Sequence, residues 1–155
     1  MKSLVDGTRE VLEKWSARGC DVSNFIPSDE QSLETCLKLV QMEPEQLKYV
    51  NEQTPEMCAI AVAFDGDLLQ FVRDQTRSIC LLAVQNNGRS LQYVKEQTEE
   101  ICKEAVRKQG RALRYVLDQT DEICWEAIKS DPSAIQYVNS QTHDMCVYVL
   151  RRDGR

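Results

Sequence analysis

Histidine is almost missing from this chain: His143 is the only one among 155 residues. No glycine-rich phosphate loop, nucleophile motif or cluster of metal ligands accompanies it. Hydrolytic and metal-assisted mechanisms draw on such groups, so the sequence points away from an enzyme, and neither a cofactor nor a metal is expected. Long apolar runs are missing too. None approaches the roughly 18–20 residues that span a bilayer, and Met1–Glu10 lacks the basic-then-apolar order of a signal sequence. The expectation is a cytoplasmic protein with no membrane partner. Nowhere does an alternating apolar–polar pattern persist, which leaves strands without support.

Cysteine is plentiful at seven, but an odd count without a secretion signal favours reduced thiols over a disulfide framework. The hydrophobic fraction of 42% and a length of 155 residues suit one globular domain with a working core. The net charge of −6 lies entirely in the first half: residues 1–78 hold 8 basic and 14 acidic side chains, residues 79–155 hold 11 of each. An acidic front half discourages general nucleic-acid binding, which needs clustered Lys and Arg.

The main signal is an internal period. Gln-Thr recurs at Gln53–Thr54, Gln75–Thr76, Gln97–Thr98, Gln119–Thr120 and Gln141–Thr142, each step 22 residues, and Cys58, Cys80, Cys102, Cys124 and Cys146 follow in register. Gln31–Ser32 and Cys36 mark a diverged earlier copy, giving six. Numbering each unit from its Gln, position 2 is a good helix N-cap, and acidic residues at position 4 suit the positive end of a helix dipole. Apolar residues at positions 5, 6, 9 and 10 predict a helix of about three turns. Position 14 is Gly66, Gly88, Gly110 or Gly154, or else Pro44 or Pro132. Either ends a helix, glycine by permitting a left-handed residue. Apolar positions 16, 17, 19 and 20 predict a second helix of about two turns.

One such hairpin cannot bury its own apolar stripe, so neighbouring copies must stack. The sequence therefore predicts an all-α protein: an α-solenoid of six 22-residue helix-turn-helix repeats over residues 31–155, with an N-terminal helical cap over 1–30. At ~8–10 Å per packed layer the array is about 50–60 Å long. The phrase Leu91–Val106, followed by Gly110 and Leu113, resembles a family of short helical repeats found in bacteria and large DNA viruses and classed as a domain of unknown function (family 4116). The resemblance implies a helical array and brings no catalytic or binding residues.

The repeated positions read as structural. Cysteine is a compact hydrophobe where helices approach closely, and no copy adds a C-x-x-C pair or nearby His for a metal. Gln is expected to satisfy backbone groups between copies, and the ladder Tyr49, Phe71, Tyr93, Tyr115 and Tyr137 to pack with its hydroxyls at the edge. Function then falls to what varies. Positions 7, 8 and 12 are expected to face outward, and there Ile60, Phe64, Leu81, Leu82, Trp125 and Tyr148 form a candidate partner-binding surface. Burial under the N-terminal cap, or a homodimer through the same face, is the competing explanation. Arg107, Lys108, Arg111 and Arg114 form a basic edge. It is the basis of a runner-up reading, a nucleic-acid-associated protein, against the leading one of a non-catalytic module binding another protein as an adaptor or small inhibitor.

Overall fold

The computed structural model describes residues 33–152 and Gly154. The expected N-terminal cap lies outside the described residues. Within them, ten-residue α-helices alternate with six-residue 3-10 helices: α1 (Leu33–Met42), η1 (Pro44–Tyr49), α2 (Pro55–Phe64), η2 (Gly66–Phe71), α3 (Arg77–Asn86), η3 (Gly88–Tyr93), α4 (Glu99–Lys108), η4 (Gly110–Tyr115), α5 (Asp121–Ser130), η5 (Pro132–Tyr137) and α6 (His143–Arg152). Among the described residues there is no strand. The second element of each unit is thus a 3-10 helix rather than an α-helix. Six residues give two turns at three per turn, and apolar positions 16, 17 and 20 fit that tighter winding.

Each α-helix opens as the sequence predicts. Thr54, Thr76, Thr98, Thr120 and Thr142 accept from the backbone N–H three residues on at 3.3–3.4 Å. The α-helix then stops at an extended residue, such as Asp65 at φ −142°, whose N–H donates to Ala61. Asp65, Asn87 and Asp131 next cap the 3-10 helix by accepting from the N–H two residues on.

Consecutive α-helices pack in one layer, consecutive 3-10 helices in a second, and each 3-10 helix also packs against the following α-helix. The core runs between the layers as one continuous cluster from Cys36 to Met145. Positions 5, 6, 9 and 10 supply it from the α side, as in Ile101, Cys102, Ala105 and Val106; Ala112, Leu113 and Val116 supply it from the 3-10 side. This is an all-α solenoid, and each copy is stable only through its neighbours.

Position 14 corrects one expectation. Gly66, Gly88 and Gly110 do not adopt left-handed backbone; the only positive-φ residue described is Gly154. They are small because the next copy presses on them. A Cβ on Gly88 would lie 2.6 Å from the Ala105 carbonyl oxygen, and one on Gly110 would lie 2.5 Å from that of Ala127. Close approach selects glycine here. Pro44 and Pro132 instead open their 3-10 helices at positions where no backbone N–H is needed.

Candidate interaction surface

Most of the repeated polar chemistry is spent inside the stack. The Gln97 amide donates to the carbonyls of Leu91, at 3.4 Å in the previous copy, and Tyr115, at 2.8 Å in its own. Its oxygen accepts the Leu117 N–H at 3.0 Å and faces the Cys102 thiol at 3.7 Å. Gln53, Gln75 and Gln119 repeat the pattern. Both amide hydrogens and the acceptor are therefore committed, and each Gln ties one 3-10 helix to the next. The ladder cysteines are buried from Cys36 to Cys124. Burial raises their thiol pKa, for Cys102 to about 11, with Asp118 and Glu99 adding repulsion. Such thiols stay protonated and unreactive at neutral pH. Among the described residues no group of three or more His, Cys, Asp or Glu is placed to hold a metal ion. His143 stands exposed at the start of α6.

A second ladder is not evident from the sequence. In copies three, five and six the side chain at position 12, the end of the α-helix, reaches back one copy to the carbonyl at position 11. Asn86 donates to Ala63 at 2.8 Å, Ser130 to Arg107 at 3.1 Å and Arg152 to Lys129 at 2.8 Å. Asn86 also accepts the Gly66 N–H at 3.1 Å, while buried Ser90 donates to Asp67 at 2.9 Å, so copies two and three are closely clamped. A third ladder occupies position 21, where Arg73 donates to the Asn51 carbonyl and Lys95 to that of Arg73.

Two residues in these slots carry no donor although a described copy precedes them. Phe64 fills position 12 with an aromatic ring that is 66% exposed, and Leu117 fills position 21 at 74%. Neither has a donor. Met42, at position 12 of the preceding copy, is 62% exposed, so copies one and two present adjacent apolar residues at the same edge. A sequence signal for Leu117 exists, since Asn51, Arg73, Lys95 and Asn139 hold the same slot. Sequence reasoning misses it because position 21 carries no evident role until the ladder is seen.

The other predicted surface residues sit deeper. Ile60, Leu81, Leu82, Trp125 and Tyr148 are half-buried and pack against the core, because adjacent parallel helices cover the flanks of positions 7 and 8. Trp125 and Tyr148 meet edge to face at 5.6 Å across two copies. The outer α face is thus apolar over copies two and three, whereas copy one carries the Lys38–Glu34 pair at 2.7 Å and copy four turns ionic again. Lys103 bridges Glu99 and Glu122, and Arg107 pairs with Glu126 at 2.9 Å and Glu104 at 3.2 Å.

The four residues of the predicted basic edge are not one cluster. Arg107 is held on the α face; Arg111 lies at the turn, 3.1 Å from Asp131. Arg114 lies on the 3-10 layer over the rings of Tyr115 and Tyr137. Lys108 is exposed at the end of α4. The pairing holds Glu122 and Glu126 below the usual carboxylate range and raises Lys103 and Arg107.

The architecture defines a helical-repeat scaffold with one α-helix and one 3-10 helix per copy. Residues 76–120 and 98–141 match the family described as Domain of unknown function (DUF4116). The second match begins one period after the first (98 − 76 = 22). No curated protein and no solved structure matches the chain. Among the described residues, no helix is long and apolar enough to cross a membrane.

Proposed function

We propose that this chain is a non-catalytic protein-binding module of the cytoplasm, an adaptor or small inhibitor that docks on a larger protein. It uses the apolar outer α face of copies two and three, with Phe64 and Met42 exposed at its edge and Ile60, Leu81 and Leu82 as a half-buried floor. One observation carries the reading: Phe64 occupies a slot from which copies three, five and six hydrogen-bond the preceding copy and so stabilise the stack. An exposed ring in place of a stabilising group is what a binding surface requires and a purely structural repeat does not. The Trp125–Tyr148 pair gives the far end of the same face a second aromatic anchor.

Less supports the alternative of a nucleic-acid-associated protein. Phosphate contacts need cations free to release counterions, and Arg107 and Arg111 are already paired with carboxylates. Affinity capture from a native lysate, with and without nuclease, comparing the natural chain with Phe64→Asp, tests both readings. The expected result is a nuclease-resistant partner retained by the natural chain and lost by the variant. Material cleared by nuclease would favour the basic edge; a partner held equally by both chains would remove Phe64 from the surface. Light scattering of the purified chain separates a homodimer through this face.

A further inference from the structure

The edge where each α-helix gives way to its 3-10 helix, positions 11 to 15, changes sign along the stack. In copies one and two it carries Glu43, Glu45, Asp65 and Asp67 and no cation, beside exposed Met42 and Phe64. In copies three and four the same positions carry Arg89, Arg107, Lys108 and Arg111 and no carboxylate. Local structure accounts for only part of this. A carboxylate at position 15 suits the positive end of a 3-10 helix, as Glu45 and Asp67 do, so arginine there has the wrong sign. Arg111 is compensated by Asp131, position 13 of the next copy, at 3.1 Å. For Arg89 that slot holds Gln109, and Arg89 has no ion pair among the described residues. Lys108, exposed at the end of α4, has none among them either.

We infer that this edge pairs with the same edge of a second copy of the chain, antiparallel, about a two-fold axis between copies two and three. Under that symmetry copy one faces copy four and copy two faces copy three, so every acidic unit meets a basic one, twice over. Glu45 then lies opposite Lys108, and the Asp65–Asp67 turn opposite Arg89. Phe64 lies beside the axis, where the two rings approach within one layer spacing, ~8–10 Å. A parallel pairing would instead set acid against acid. Complementarity specifies the occupant, because one chain carries both halves of the match in mirrored order. Arg107 and Arg111, held by carboxylates of their own chain, add less than Arg89 and Lys108. A strip four layers long and one turn wide covers on the order of 500 Å² per chain, below the ~800 Å² of a standard interface. The dimer is therefore weak and depends on charge. The inference rests on the reading of Phe64 as an interface residue and names what meets it at this edge. Ile60, Leu81 and Leu82, on the α face, are left to an outside partner.

Sedimentation equilibrium of the purified full chain is the test. The mass is expected to rise from 17.8 kDa towards twice that value as concentration increases from about 5 to about 500 μM. It should fall back in molar salt, where charges are screened beyond ~3 Å. Lys108→Glu or Glu45→Lys alone should weaken association at least about tenfold, since each turns two attractive contacts into repulsive ones. An equimolar mixture of the two variants should restore it, because both contacts are then attractive again. Both positions are exposed, and circular dichroism checks that helicity is kept. A chain that stays monomeric throughout, a dimer indifferent to either substitution, or a mixture no tighter than its components overturns the inference. A monomer that still captures an outside partner through Phe64 removes the dimer and leaves the binding function standing; a dimer that captures nothing does the reverse.

Discussion

Asn86 clamps Ala63: its amide donates to that carbonyl one copy back at 2.8 Å, while its oxygen takes the N–H of Gly66. One side chain thereby satisfies an orphan acceptor at the end of α2 and a donor at the start of η2. Phe64, one copy earlier in the same slot, can do neither.

Replacing Phe64 with Asn should therefore stabilise the array, by about 0.5–1.5 kcal/mol for a net hydrogen bond to the Gln41 carbonyl. The same variant should lose its partner. Chemical denaturation gives the first quantity and affinity capture the second. A Phe64→Asn chain that is less stable and still binds would show that the ladder logic does not extend to copy two.

Charged residues at Leu81 and Leu82 are a poorer test of binding than the sequence suggests. Both pack against the core, so Leu82→Asp is expected to cost about 2–4 kcal/mol and lower helicity at moderate urea. Phe64→Asp should stay within about 0.5 kcal/mol of the natural chain. Equal stability of all three proteins in urea titrations would place the leucines at the free surface.

Gln97→Leu removes two donors and an acceptor at once, stranding the Tyr115 carbonyl and the Leu117 N–H and leaving the Leu91 carbonyl with the Val94 N–H alone. A loss of about 2–4 kcal/mol is expected. Gln141→Leu, with one such bond, should cost under about 1 kcal/mol. The difference between the two variants is the measurement; similar losses would mean the amides are not the ties between copies.

Gly88→Ala would force a Cβ to within 2.6 Å of the Ala105 oxygen. The backbone at that residue is not left-handed, so the penalty comes from overlap alone, about 1–3 kcal/mol. Gly110→Ala should behave alike. Thermal unfolding of the two variants checks this, and unchanged midpoints would mean that the layers can part freely.

Alkaline pH should weaken the fold. Cys36, Cys58, Cys80, Cys102 and Cys124 all have thiols pushed above their ordinary range, chiefly by burial, and Cys102 reaches about 11. Above the unfolded-state value of about 8.5 the open chain releases protons that the folded one retains, so stability falls as pH rises. It is flat below that point as far as these groups are concerned. Urea midpoints between about pH 7 and pH 10.5 should decline from about pH 8.5 upward, and a level curve would refute the assignment.

The period, the N-caps and the apolar faces are legible because they repeat, and repetition makes even a weak preference visible. What each position does sideways is not. The glycine at position 14 and the donors at position 12 act on the neighbouring copy, one 22-residue period away in sequence, and neither leaves a local pattern. Gly88 reads as a helix stop, yet it is a contact. The shielding of Leu81 and Leu82 is hidden for the same reason: a helical wheel for one segment omits the parallel helices on either side. Phe64 stands out from its chemistry alone, while Leu117 needs the ladder before it does.

Each Gln side chain joins just two consecutive 3-10 helices, so the ties between copies are linked in series, like rungs that share no common rail. A tensile load on the two ends would pass through every one of them in turn. The copies should then give way singly, each releasing 22 residues of chain, about 60–70 Å of extra length beyond what the copy spans in the stack. Built this way, the protein resembles an extensible tether more than a rigid strut.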